Sequence, residues 1–370
     1  LLCQWPGPTS ASLHLSKFLV YSPRIQPVRL SDFDYELPVD RIAQVPAEPR
    51  DHARLLVDQG RRAGVASIVH RQVFNLPEYL QPGDLLVVND TRVIPGRLRL
   101  NRASGGNVEV LLLDPLTTNS RRWSALVKPG GKLKDGEVLR HLDTGSECIF
   151  HGRLESGDSF EIELCFTDDV LSFLDRIGEI PLPPYITSAL PQTERYQTVY
   201  SRRPASAAAP TAGLHFTPDL LQTLSDQNID FARVELVVGL DTFQPIQTDN
   251  PLDHKMHTEY YSVSEEVMAK VNDAKRVVAV VTTAVRALES AASRSELSGR
   301  TNLFIHRGFD WQTKGHIHRV GDCRGWQRGK QDRDEGYFDL RSSDAFQCKG
   351  YCNRRAQCHR CQWFVGRGSG

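Results

Sequence analysis

No apolar run in this sequence approaches the ~18 residues of a membrane-spanning helix, so a cytoplasmic chain without membrane contact is expected. Charge of one sign is missing too: 45 Lys and Arg stand against 45 Asp and Glu across 370 residues. With no net field, contact with nucleic acid has to rely on a local patch. Cysteine is sparse through the body, where Cys3, Cys148 and Cys165 are scattered, and it crowds only late, at Cys323, Cys348, Cys352, Cys358 and Cys361. That distribution excludes a disulfide framework for the body and fits a reduced compartment. Acidic residues are absent from residues 1–28. This opening stretch reads as a transit peptide or as upstream sequence ahead of a valine start at Val28; the second reading is the expectation here.

What is present begins with length, which suggests roughly two domains and a sizeable core. The chain is organised around residues 207–216, AAAPTAGLHF. Small residues and Gly213 allow close backbone approach to a ligand, and His215 with Phe216 closes the stretch. A helix is predicted directly after it, with Thr217 as N-cap and Pro218 in the first helical position. Its N-terminus favours an anion or a polarised ligand. A connecting loop with a satisfied histidine is the plainer alternative. Residues 55–58 and 66–70 predict two strands around a Gly/Arg turn, and residues 85–88 a short buried strand. The latter runs into Asn89, Asp90, Thr91 and Arg92, at the end of a strand where open α/β sheets bind ligands; an Asx turn is the competing reading.

From 97 to 166 the pattern changes. Six short strand-like segments, separated by Gly, Asn, Asp and Pro, predict a small β-barrel or sandwich inserted into the chain. Its first part carries nine basic residues (Arg92, Arg97, Arg99, Arg102, Arg121, Arg122, Lys128, Lys132, Lys134) against Glu109 and Asp114. Such a patch can track phosphates, with Trp123 as a stacking surface, although solvated strand faces explain the charges nearly as well.

A second α/β region follows. Residues 170–177 predict a helix that leads into GEIPLPPYI, whose prolines fix Glu179 and Tyr185. Residues 231–238 alternate as a strand. His254, His257 and Glu259 then crowd together, but their spacing is not that of a helical zinc site and no metal is expected. Ser264 caps a further helix, residues 277–281 form a buried strand, and Thr282-Thr283 is expected to cap the next helix. Arg286 would fall near the third helical position, where a cation is disfavoured unless it meets an anionic ligand or pairs with Glu289.

The strings PGDLLVVNDTRVIP (82–95), GEIPLPPYI (178–186), YQTVY (196–200), AAPTAGLHF (208–216) and TTAVRALES (282–290), in this order and with Arg50-Asp51, resemble the S-adenosylmethionine:tRNA ribosyltransferase-isomerase family of queuosine biosynthesis. The resemblance spans about 29–313. It implies an α/β main domain (29–82 and 168–313) interrupted by an inserted small all-β barrel domain (83–167). It also implies a monomer that uses S-adenosylmethionine as co-substrate, without metal, and acts on tRNA carrying a 7-deazaguanine wobble base. The ribosyl part is transferred to the base's aminomethyl group and isomerised, giving epoxyqueuosine and releasing adenine and methionine. That chemistry needs a base for the sulfonium-acidified C5′ proton and an acid for adenine. On this resemblance His215, His257 and His254 are the candidate acid and base. Asp90 and Arg92 are placed to orient ribose or amine, and Arg286 with Thr283 to hold the methionine carboxylate. Thr91, Glu179, Tyr185, Thr211, Gly213, Phe216 and Glu259 complete the expected binding set.

Two single departures stand out: Asp241 where the family has glycine, and Val237 where histidine is common. Beyond Thr313 the family pattern stops. Residues 314–370 carry scattered Gly, Arg, Cys and His with no strand or helix periodicity, and read as the product of a frame slip. Their Cys348, Cys352, Cys358, Cys361 spacing is too irregular for a zinc site. A tail that left the preceding strand uncovered would make the chain poorly stable. A catalytically inactive tRNA-binding remnant is therefore the alternative function.

Overall fold

The computed structural model describes residues 29–34, 36–62, 65–190, 192–239, 246, 248–306, 309–313, 317–322 and 361–365. The extension 1–28, Asp241 and the tail cysteines Cys323, Cys348, Cys352 and Cys358 lie outside the described residues.

β1 (Arg54–Arg62) and β2 (Val65–Gln72) form the antiparallel pair that their two apolar segments predicted. β3 (Asp84–Asn89) is buried along its whole length, as its unbroken apolar run requires of a strand covered on both faces. Although expected at the start of the insert, β3 lies in the large sheet. There it runs parallel to β13 (Asp230–Leu236) on one side and β15 (Arg276–Val280) on the other. β14 (Glu259–Ser262) and β16 (Ser298–Thr301) extend that sheet antiparallel beyond β13.

Beyond β15 the sheet continues through β17 (Ile317–Asp322), parallel to it, and β18 (Cys361–Val365), which joins β17 to β1. The order of the mixed nine-stranded sheet is thus β16-β14-β13-β3-β15-β17-β18-β1-β2. This corrects the expectation that nothing after Thr313 forms strands. The open edge of β15 offers a row of backbone donors and acceptors, and an extended segment can satisfy them whatever its side-chain pattern. Val277 to Val280 therefore have a strand on each side.

The six segments between 97 and 166 close on themselves. β5 (Arg97–Arg102), β6 (Asn107–Pro115), β7 (Arg122–Lys128), β10 (Phe160–Cys165), β9 (Glu147–Arg153) and β8 (Glu137–Arg140) pair antiparallel in that spatial order, and β8 returns to β5. Alternation fills the interior, with Leu98 and Leu100 of β5, Val110 and Leu112 of β6 and Ile162 and Leu164 of β10 all buried. Trp123 belongs to this interior rather than to a stacking surface: it is 5% exposed, and its indole donates to the Ser120 carbonyl at 2.7 Å.

Helices flank both units. α1 (Val170–Ile177) is capped by Asp169, which accepts from Leu171 and Ser172, and it buries Phe173, Leu174 and Ile177 in the barrel core. α2 (Pro218–Asp226) begins as predicted, with Thr217 Oγ1 accepting from Leu220 N at 3.1 Å. α3 (Glu265–Asp273) is capped by Ser264. α4 (Val281–Arg294) departs from expectation. It starts at Val281, directly after β15 and with no side-chain cap, so the chain must reverse within one residue. That residue takes φ +76°, a left-handed conformation that a β-branched side chain resists. Thr283 is consequently inside the first turn, and Arg286 sits sixth rather than third in the helix.

Candidate active site

β3, β13 and β15 point their carboxyl ends the same way, and Asn89, Asp90 and Thr91 lie where β3 stops. Asn89 ends β3 fully buried. Its Nδ2 donates to Leu236 O at 2.9 Å, and its Oδ1 accepts from Leu236 N at 3.1 Å and Thr91 N at 3.3 Å. Thr91 Oγ1 adds a bond to Leu236 O at 3.4 Å. These bonds turn the chain between Asn89 and Thr91 and leave Asp90 at the bend.

Asp90 is half-buried, with Arg202 Nε 3.8 Å from its carboxylate. Burial raises its pKa, and nearby Glu235 pushes the same way, against Arg202 and Arg233. Arg92 next to it is ion-paired with Glu194 and reaches Ser201 Oγ at 3.3 Å. β4 (Arg92–Val93) runs parallel to β12 (Pro204–Ser206). On its other side the Gln197 amide bonds Val93 as a strand would, accepting from Val93 N at 3.0 Å and donating to Val93 O at 2.9 Å.

The central AAAPTAGLHF stretch is held by contacts at both ends. Ala207 N bonds Val238 O at 3.0 Å, and Ser206 Oγ accepts from Val238 N at 2.9 Å. Residues Thr211–His215 form a short 3-10 helix, so Thr211 opens the turn and His215, half-buried, ends it. Arg50 binds this turn to the YQTVY segment, donating to the carbonyls of Leu214 (3.3 Å), Gln197 (2.8 Å) and Glu194 (3.1 Å). Asp51 accepts from Thr217 Oγ1 at 2.9 Å. Gly213 has no room for a Cβ, because the Tyr200 hydroxyl and Thr198 occupy that place. Phe216 is fully buried, edge-on to Tyr200 with centroids 6.3 Å apart, and acts as core.

Glu259, at the start of β14, bonds Gly239 N at 3.0 Å and forms a buried ion pair with Arg286. Arg286 also donates to the carbonyls of Thr301 (3.2 Å) and His257 (3.4 Å). Its partner is thus Glu259 and not Glu289, which accepts instead from Gln312 N and Thr313 N at 2.9 and 3.1 Å. The side chains of the His254–Glu259 cluster diverge. His257 pairs with Asp158 of the barrel, and the His254 ring lies 6.5 Å from that of Phe304. Asp158 feels burial upward, but hydrogen bonds from Ser156, His257 and Ser159 outweigh it and hold its carboxyl below the usual range. Glu179, in β11 (Gly178–Glu179), is bound by Arg99 at 2.9 Å, and the Tyr185 carbonyl accepts from Gln44 at 2.9 Å. Among the described residues no group of three or more His, Cys, Asp or Glu is arranged to hold a metal.

Four buried polar atoms here have no hydrogen-bond partner among the described residues: Thr198 Oγ1, Tyr200 Oη, Thr283 Oγ1 and Arg286 Nε. Desolvation of such atoms costs ~1–3 kcal/mol each, so a ligand that satisfies them recovers a substantial free energy. Thr198 and Tyr200 escaped the sequence reading although they lie inside YQTVY. A lone tyrosine and threonine carry no spacing signal, and only burial without a partner marks them.

A mixed sheet with parallel central strands, polar groups at their carboxyl ends and a closed β-barrel inserted in the same chain define the candidate active-site cleft at the strand ends. Residues 30–317 match the family described as queuosine biosynthesis protein, and the chain belongs to that family. It is 48% identical over 292 residues to the S-adenosylmethionine:tRNA ribosyltransferase-isomerase of Carboxydothermus hydrogenoformans, covering 77% of this chain and 84% of that one. The enzyme of the same name from Nostoc is 42% identical over 312 residues, covering 76% and 78%. The solved S-adenosylmethionine tRNA ribosyltransferase of Thermotoga maritima is 29% identical, with a TM-score of 0.42, and the alignment covers 90% of this chain and 100% of that chain.

Proposed function

We propose that this chain transfers and isomerises the ribosyl moiety of S-adenosylmethionine onto the 7-aminomethyl-7-deazaguanine wobble base of tRNA. The products are epoxyqueuosine in the tRNA, adenine and methionine. The observation that carries the reading is the convergence of the family-matched strings 82–95, 196–200, 208–216 and 282–290 on the carboxyl ends of β3, β13 and β15. In this reading the large sheet with its helices is the catalytic unit, the barrel is its insert, and the enzyme works as a cytoplasmic monomer.

His215 is the first candidate for proton transfer, because the Arg50 clamp fixes the turn that ends on it. Asp90 is the second: a carboxyl whose pKa is raised by burial is better able to donate a proton, here to departing adenine. Thr283, with its unpartnered hydroxyl in the first turn of α4, suits the methionine carboxylate, which the helix N-terminus also favours. Arg286 serves that site through its Nε alone, since Glu259 balances its charge. His257 and His254 flank the barrel side of the cleft, and Arg92, Thr91 and Asp90 the ribose side.

The test is incubation with S-adenosylmethionine and tRNA carrying the aminomethyl base, reading adenine and modified nucleoside by mass spectrometry. Stoichiometric adenine and epoxyqueuosine are expected. A folded chain that binds the tRNA and releases no adenine would overturn the transferase reading in favour of a tRNA-binding remnant.

A further inference from the structure

Five arginines of the barrel are spent on carboxylates. Arg97 pairs with Glu109, Arg99 with Glu179, Arg102 with Glu137, Arg122 with Glu161 and Glu163, and Arg140 with Glu147. Arg121 and Arg153 lie over the rings of Phe166 and Phe160, each 4.5 Å from the centroid. The apparent basic excess of the sequence is therefore largely neutralised by acids that lie outside its own segment. Three cations are not: Lys128, Lys132 and Lys134 are exposed, and none has a carboxylate within 4.0 Å among the described residues. All three fall in one seven-residue stretch, KPGGKLK, which starts on the last residue of β7 and leads toward β8.

The shape of that stretch is fixed. Gly130 is pressed against the Phe160 ring, where an added Cβ would meet Cζ at 2.5 Å. Lys132 N bonds Pro129 O at 3.1 Å, and Lys134 N bonds Glu137 Oε2 at 3.0 Å. Its place is fixed too. Phe160 pairs with Ala125 three residues before Lys128, so the loop shares one barrel end with the hairpin that carries Asp158. Asp158 is the residue that grips His257.

We infer that residues 128–134 are a phosphate-binding loop that holds the sugar–phosphate backbone of the RNA substrate beside the base presented to the cleft. This rests on the tRNA reading above. Three exposed ammonium groups on a preshaped turn, none within 4.0 Å of a carboxylate among the described residues, suit a polyanion, because releasing counterions from phosphates drives binding. Of the acids nearby, Glu109 lies opposite Lys128 across β6 and β7 but pairs with Arg97, Glu137 is bound by Arg102, and Asp135 faces His151 at 3.8 Å.

The probe is a fluorescently labelled anticodon stem-loop RNA, titrated over a range of KCl concentrations against the full chain. Lys128→Gln/Lys132→Gln/Lys134→Gln should raise Kd about tenfold at low salt and reduce the slope of log Kd against log salt by about two, at ~0.7–0.9 for each phosphate no longer neutralised. Arg140→Gln, which removes a cation already paired, should leave the slope unchanged. The triple Lys→Arg variant should restore it. A triple glutamine variant that melts like the parent and keeps the parental slope overturns the loop assignment while the tRNA reading stands. A parent chain that does not bind the RNA at all overturns both.

Discussion

The barrel and the cleft treat their polar groups in opposite ways. In the barrel most arginines meet a carboxylate, as with Arg102 and Glu137 at 2.6 Å or Arg140 and Glu147 at 2.7 Å. At the strand ends of the large sheet, Thr198, Tyr200, Thr283 and Arg286 each keep a buried polar atom unsatisfied, and Val281 carries an unfavourable backbone. The barrel leaves one such atom among the described residues, Arg97 Nε, and its other arginines are largely satisfied as it folds. The cleft carries local costs that its own residues do not offset, as expected where a ligand completes the structure. The difference between the two regions is therefore a map of where binding free energy is available.

The largest effect should come from the one charged pair in the cleft that is fully committed. Glu259→Ala leaves the Arg286 guanidinium buried without its counter-ion and should cost ~3–5 kcal/mol, read as a fall in the urea midpoint. The barrel comparator Arg140→Ala breaks an exposed pair and should cost no more than ~1 kcal/mol. Equal losses at the two positions would erase the distinction between the regions. Next comes His215→Ala, expected to lower adenine release by ~10²-fold or more in a protein that still melts cooperatively. Near-normal turnover by that variant removes His215 from the catalytic groups.

How much of this the sequence discloses depends on how local the cause is. The barrel strands, α1, the Thr217 and Ser264 caps and the polar end of β3 follow from alternation, capping chemistry and apolar runs, all short-range signals. Pairing is not short-range. Nine basic residues between 92 and 134 meet only Glu109 and Asp114 in sequence, until folding brings Glu137, Glu161, Glu163 and Glu179 across the barrel. Arg286 has Glu289 as its near neighbour in sequence, yet Glu259 meets it from β14. Arg50 carries no local signal beyond its place in the Arg50-Asp51 string, although it ties together carbonyls of Glu194, Gln197 and Leu214 more than 140 positions later. Resemblance names such residues, but only the fold says why they are there.

A smaller effect should appear at Val281. Its φ of +76° is one that glycine adopts freely and that costs a β-branched residue ~1–3 kcal/mol. In an ordinary helix alanine is more stable than glycine by ~1 kcal/mol. At this position the order should reverse, with Val281→Gly more stable than Val281→Ala by about 1 kcal/mol in paired thermal melts. Both variants lose the buried isopropyl group, so the comparison isolates the backbone. Alanine above glycine would show that the turn into α4 relaxes without strain.

The smallest effect tests the seam between the two regions, where Asp158 of the barrel meets His257 of the cleft. Hydrogen bonds from Ser156, His257 and Ser159 overcome the upward push of burial and hold the Asp158 carboxyl below its ordinary range. A depressed carboxylate stabilises the fold fully above its unfolded pKa of ~3.9, and the contribution fades as pH falls through the lower folded value. Asp158→Asn removes that charge at every pH. Parent and variant should therefore differ in Tm near neutrality and converge in acid, with the parent losing the advantage. Because Asp158 is partly exposed, solvent screening keeps the difference to about 1 kcal/mol or less. Buffers of matched ionic strength at about pH 7 and about pH 3 suffice for the comparison, since the ~3.9 reference lies between them. A Tm gap that stays constant across that interval would mean that Asp158 holds the hairpin through shape alone, and that charge plays no part in joining barrel to cleft.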